Sequence, residues 1–128
     1  MKRQTALLAA TVAVSPALAT DLPMPDLPDP TPLCQSLGKG AADRAGADAG
    51  KVTTSECLRK SQDGYDTAKW LWPKLSDYSA KHCAYVAGLV THDASTSGWG
   101  YVTLGNCASQ MYFEYDVPRQ EQPPFHKD

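Results

Sequence analysis

Apolar residues recur most clearly along the middle of the chain. Leu58, Ser61, Tyr65, Ala68 and Trp72 repeat at helical spacing, with Cys57 beside the stripe. Thr53-Thr54-Ser55-Glu56 precedes it as a capping box, with Thr53 as N-cap and Glu56 at the third helical position. Pro73 disfavours helical geometry at Trp72, so this helix is expected to end there. Ser76-Asp77 then caps a second helix that carries Tyr78, Ala80, Cys83, Ala84 and Val86 and stops at Gly88. Residues 91–100 (THDASTSGWG) are polar and closed by glycine, as in a loop.

The last apolar stretch supports two readings. Residues 99–104 and 111–117 alternate like the strands of a hairpin, with residues 105–109 as the turn, and local propensity favours this form. Val102, Leu104, Cys107, Met111 and Tyr115 also share one helical face, though loosely. Two helices plus a C-terminal β-hairpin at about 99–117 is thus an α+β alternative to an all-α chain.

The flanks carry no such pattern. Residues 21–32 (DLPMPDLPDPTP) hold five prolines and three aspartates and read as an extended, mobile arm. Residues 38–51 (GKGAADRAGADAGK) lack large apolar side chains and read as a second flexible stretch with at most a short helical turn. Their glycines do not form a phosphate loop, since GxxxxGK[ST] is missing. The expected organisation is a flexible arm at 20–52, a compact domain at 53–117 and a disordered tail at 118–128. A core of about 65 residues is small enough to need covalent staples.

Composition sharpens this picture at the N-terminus. Lys2 and Arg3, the apolar run Ala6 to Val14 and the small-x-small Ala17-Leu18-Ala19 have the form of a secretory signal peptide cleaved after Ala19. The run is too short to span a bilayer. Without residues 1–19, fourteen acidic residues face ten basic ones, a net charge of −4. That balance gives no support to a nucleic-acid partner. The expected product is a soluble periplasmic or secreted protein, with no membrane insertion once the signal is removed.

Cys34, Cys57, Cys83 and Cys107 all follow the cleavage point, and an even count in a small exported chain reads as two disulfides. Their wide spacing excludes CxxC metal or thiol-redox motifs and CxxCH haem attachment, and no cofactor is expected.

Cys57-Leu58, Ala68, Trp72, Leu75, Cys83 and the segment Tyr101-Val102-x-Leu104-x-x-Cys107 together resemble a group of small exported bacterial proteins of unknown function. The resemblance spans residues 57 to about 111. It implies a helical closing segment, making Tyr101 to Met111 a third helix, and it carries no catalytic motif. Gly64 and Gly105-Asn106 depart from that group, which has better helix formers there. The resulting expectation is an all-α fold, a disulfide-stapled helical hairpin or three-helix module with a Pro-rich N-terminal arm. With that third helix, the 1.5 Å rise puts Cys57 roughly 22 Å from Trp72 but Cys83 only about 10–15 Å back from the turn. Cys57–Cys83 is then strained. Cys34–Cys57 with Cys83–Cys107 is favoured, and Cys34–Cys83 with Cys57–Cys107 stays open.

Candidate chemistry is sparse. His82 adjoins Cys83, but neighbours on a helix point about 100° apart and the cysteine is expected to be oxidised. His92 and Asp93 lack ligand partners at metal spacing, and Asp63 and Asp66 read as a solvated helix face. The aromatics are the better lead. Trp72 belongs to the core stripe, and Trp70 lies about 160° around the helix from it. Trp70, or Trp99 between glycines, could anchor a partner protein or a glycan, although Trp70 could instead pack under the N-terminal arm. The function expected is non-enzymatic, an accessory or protein-binding subunit with an unidentified protein partner. The alternative is a small ligand-binding protein or hydrolase using His82, His92 and nearby aspartates.

Overall fold

The computed structural model describes residues 19–121. Helix α1 spans Thr31–Ala45, α2 Ala47–Leu71, α3 Asp77–His92, α4 Gly100–Gln110 and α5 Val117–Glu121, with no strand among the described residues. The fold is all-α, and the expected third helix is present in place of a hairpin at 99–117. Two disulfides join Cys34 to Cys57 and Cys83 to Cys107, with Cα–Cα separations of 5.4 and 5.5 Å.

α2 is the spine, about 37 Å long for its 25 residues. α1 folds back along its first half and α4 along its second. The α1–α2 turn is a single residue, Gly46, whose φ of 98° lies where only glycine is comfortable. The two helices touch through Gly38, Ala42 and Gly50, and a methyl group on Gly50 would lie 2.8 Å from the Gly38 carbonyl oxygen. Farther along α2, Gly64 meets Gly105 of α4. A methyl group on Gly105 would lie 2.5 Å from the Gly64 carbonyl oxygen, and one on Gly64 would run into the backbone of Tyr101. The glycines that look like poor helix formers are where backbones meet.

These contacts correct the expected organisation. Residues 31–45 and 47–52 are helical, and the start of α2 lies at Ala47, six residues before the Thr53 capping box. Close approach of small residues, together with the Cys34–Cys57 bond, supplies what α1 lacks in large apolar side chains. α3 begins at Ser76 as the pattern predicts, with the Ser79 amide donating to Ser76 Oγ, but runs past Gly88 to His92. Residues 118–121 are helical, not tail. The expected signal peptide, Ala19 excepted, and residues 122–128 lie outside the described residues.

Nor is the proline-rich arm detached. Residues 20–30 form an extended strap across α2, α3 and α4. The Thr20 amide donates to the Leu75 carbonyl oxygen (2.7 Å), and Trp72 Nε1 donates to the Leu22 carbonyl oxygen (2.9 Å). The Leu27 amide donates to Tyr101 Oη (3.0 Å). Met24 and Leu27 lean on a core built from Ala68, Leu71, Trp72, Leu75, Ala80, Ala87, Leu104, Ala108 and the Cys83 side chain. Prolines that cannot donate to a helix or sheet can still lie along a surface as a semi-rigid extended segment.

Between α4 and α5 the helix widens into a π turn over Met111–Asp116, where the Val117 amide bonds the Tyr112 carbonyl oxygen. Pro118 supplies a reason, because its ring clashes with the carbonyl four residues back and it has no N–H to give. The extra residue changes what faces inward. A regular repeat from Leu104 and Ala108 would bring Tyr115 to the core. Asp116 takes that place.

Candidate functional surface

Asp116 explains how one edge of the molecule is built. It is 3% exposed, and it accepts from the Ser76 amide (2.9 Å), Ser76 Oγ (2.8 Å) and Ser79 Oγ (2.8 Å). A carboxylate from a distant turn thus joins Ser76 in capping α3, where the helix dipole favours negative charge. Thr20 Oγ1 donates to Asp77 at the same end (2.6 Å). α3 is therefore pinned at its start and bonded to α4 by Cys83–Cys107.

With Ala80, Cys83 and Ala87 turned inward, the opposite face of α3 is fixed outward. Tyr78, His82, Tyr85 and Leu89 follow at spacings of four, three and four, which puts them within about 60° of one another around the helix. All four are exposed, Tyr85 at 66%. Tyr78 stacks on His82 with parallel rings 6.3 Å apart and meets Tyr115 at 5.0 Å. Arg119 lies 3.4 Å from the Tyr115 ring and extends the surface onto α5. A depression of about 250 Å³ opens there between Tyr78, Tyr115 and Arg119. The result is an apolar and aromatic ridge about 16 Å long on α3 alone, and no described segment packs over it. The sequence reading missed it, although the spacing of these four residues is present in the chain.

The tryptophans separate. Trp72 is core. Trp70 is 59% exposed and is not under the strap; its ring is covered on one side by Lys74 Nζ at 4.3 Å. Trp99 ends a short 3-10 turn, Ser97–Trp99, and is half-buried.

His82 and His92 are not brought together. They sit ten residues apart on α3, about 15 Å along its axis, and no aspartate among the described residues bonds either ring. Asp93 is occupied with its own turn, accepting from the Ser95 amide and hydroxyl (both 3.0 Å), and these bonds hold its pKa below the usual aspartate value. Asp63 pairs with Arg59 on the exposed face of α2 (3.2 Å), and Asp66 accepts from Gln62. Among the described residues no group of three or more His, Cys, Asp or Glu side chains converges as a metal site would require. No described helix is long and apolar enough to cross a membrane. No protein family, curated protein or solved structure matches the chain.

Proposed function

We propose that this is an exported protein, periplasmic or secreted, that works without catalysis as a binding or accessory subunit, with the outer face of α3 as its docking surface. The observation that carries the reading is the continuous exposure of Tyr78, His82, Tyr85 and Leu89 on a helix pinned at its start and by a disulfide. Exposed aromatic residues on a rigid element lose little conformational freedom on binding and make strong interface anchors. The four residues have the a/d spacing with which a helix seats in an apolar groove or against a second helix, so the partner is a protein presenting such a surface. Trp70 is a further anchor on α2. Export is supported by the signal-like start, by two disulfides of the kind that persist in oxidising compartments, and by the resemblance to small exported bacterial proteins.

The test is affinity capture from the periplasm, with chemical cross-linking. The Tyr85→Ala/Leu89→Ala double variant should lose the captured protein without a fall in melting temperature, because both side chains are exposed. Trp70→Ala should weaken capture, and His92→Ala should be silent. Undiminished capture by the double variant would remove α3 as the docking face. A mature N-terminus other than Thr20, read by mass spectrometry, would overturn the cleavage site.

A further inference from the structure

A second feature lies away from α3, where the strap crosses α2. A cleft of about 460 Å³ opens between Leu27 and Thr31 on one side and Leu58, Ser61, Gln62 and Tyr65 on the other, with Tyr101 at its end. That volume falls in the range of small-molecule sites. Ser61 is only 2% exposed, and its hydroxyl oxygen has no hydrogen-bond partner among the described residues. Buried polar atoms are nearly always partnered, so a lone hydroxyl against a cleft is a place for a ligand group.

The other groups fix the chemistry that fits. Tyr65 and Tyr101 meet edge to face at 5.1 Å and give the cleft an aromatic wall. Among the described residues no Lys, Arg or His lines it. Asp29 also lines the cleft, as an exposed carboxylate that accepts the Thr31 amide at 2.8 Å. The Gln62 amide nitrogen is spent on Asp66 at 2.9 Å, which leaves its carbonyl oxygen as an acceptor. Asp26 is close by, 3.4 Å from Tyr101 Oη. The cleft is therefore rich in acceptors and π faces, and the cation beside it, Lys69 Nζ, already lies over the Tyr65 ring, 5.9 Å from its centroid. Acceptors and π faces are the features that hold an organic ammonium against aromatic rings.

We infer that this cleft binds a small organic amine, with its apolar body against Tyr65 and Tyr101, its ammonium toward Asp29, and a polar atom bonded to Ser61 Oγ. The site is independent of the α3 face and does not use His82 or His92.

Two probes of one shape and opposite charge test it, 2-phenylethylamine and 3-phenylpropionate, titrated into the disulfide-bonded protein and followed by NMR. The amine should shift the amides of Ser61, Tyr65 and Tyr101 saturably, with a Kd on the order of 1 mM for so small a probe. The acid should bind at least about tenfold more weakly. Ser61→Ala should weaken the amine about fivefold with an unchanged or raised melting temperature, since it deletes an unpartnered buried hydroxyl. Asp29→Asn should weaken it about threefold. No saturable shift by about 10 mM amine, equal binding of the acid, or undiminished binding by Ser61→Ala would each overturn the assignment.

Discussion

The two disulfides close loops of almost the same length, with sequence separations of 23 and 24 residues. On a chain-entropy account each removes about 3 kcal/mol of unfolded-state freedom. Their surroundings differ. Cys83–Cys107 lies against a core with Leu71, Trp72, Leu75 and Leu104 in it. Cys34–Cys57 ties down α1, whose buried residues are Cys34, Gly38 and Ala41. Little apolar area is buried there, and burial scales with area. One bond reinforces a region that already coheres; the other is a main reason its helix stays in place.

Glycine substitutions break that comparison most sharply. Gly64→Ala drives a methyl group into the Tyr101 backbone, which cannot rotate away, so α2 and α4 must separate along the core. A loss of about 3 kcal/mol is expected. Gly38→Ala in the α1 contact first meets the Thr54 side chain, which can turn, with the Gly50 carbonyl oxygen next at 2.9 Å. Its cost should be about 1–2 kcal/mol. Urea unfolding of both variants gives the order, and an equal or reversed ranking would mean that the α1 contact is as rigid as the core.

Removing the bonds should separate the regions by kind more than by size. Cys34→Ala with Cys57→Ala is expected to free α1 alone, seen as loss of amide-exchange protection over 31–45 while α2 to α4 still melt together. Cys83→Ala with Cys107→Ala should keep every helix at 25 °C and lower one cooperative transition by about 2–3 kcal/mol. If both double variants lose protection throughout, the two regions form one cooperative unit.

The same contrast governs what the sequence revealed. Where large side chains make the contact, their spacing is visible: the Ser76 cap, the turn at Pro73, the core position of Trp72 and the favoured cysteine pairing all agree with the structure. Where backbones touch, the signal inverts. Gly38, Gly50, Gly64 and Gly105 look like helix weaknesses because propensity scales measure an isolated helix, whereas here the missing side chain is what the neighbour requires. The helix at 100–121 was ambiguous for another reason, since the π turn shifts its register and spoils a single 3.6-residue stripe. The exposure of Trp70 was foreseen as one of two outcomes from its angle to Trp72. The Ser61 cleft was beyond sequence reasoning, because one wall is the strap, whose path depends on single hydrogen bonds from Trp72 and to Tyr101.

Each region also has an aspartate at the start of a helix. Asp116, buried at α3, holds two hydroxyls and an amide. Asp116→Ala leaves the Ser76 amide and both hydroxyls short of a partner and should cost about 2 kcal/mol. Asp116→Asn should recover part of this by keeping one acceptor oxygen. Thermal melts at neutral pH would show it, and a change under about 0.5 kcal/mol for the alanine variant would mean that water replaces the carboxylate.

Asp29 at α1 is the exposed counterpart and should give the smallest effect. The Thr31 amide and then its hydroxyl hold the Asp29 pKa below the ordinary value of 3.8. A carboxylate with a depressed folded pKa stabilises the fold when ionised. Its contribution is complete above the unfolded value and is lost as pH falls through the lower folded one. Between pH 5 and 8 the start of α1 should therefore be indifferent to this group. An NMR titration of the Thr31 amide should give a midpoint below 3.8, and Asp29→Asn should abolish that inflection while leaving the Ser79 amide at the α3 cap in place. A midpoint at or above 3.8 would show that the bond is not populated in solution. α1 would then begin without a carboxylate cap and depend still more on Cys34–Cys57.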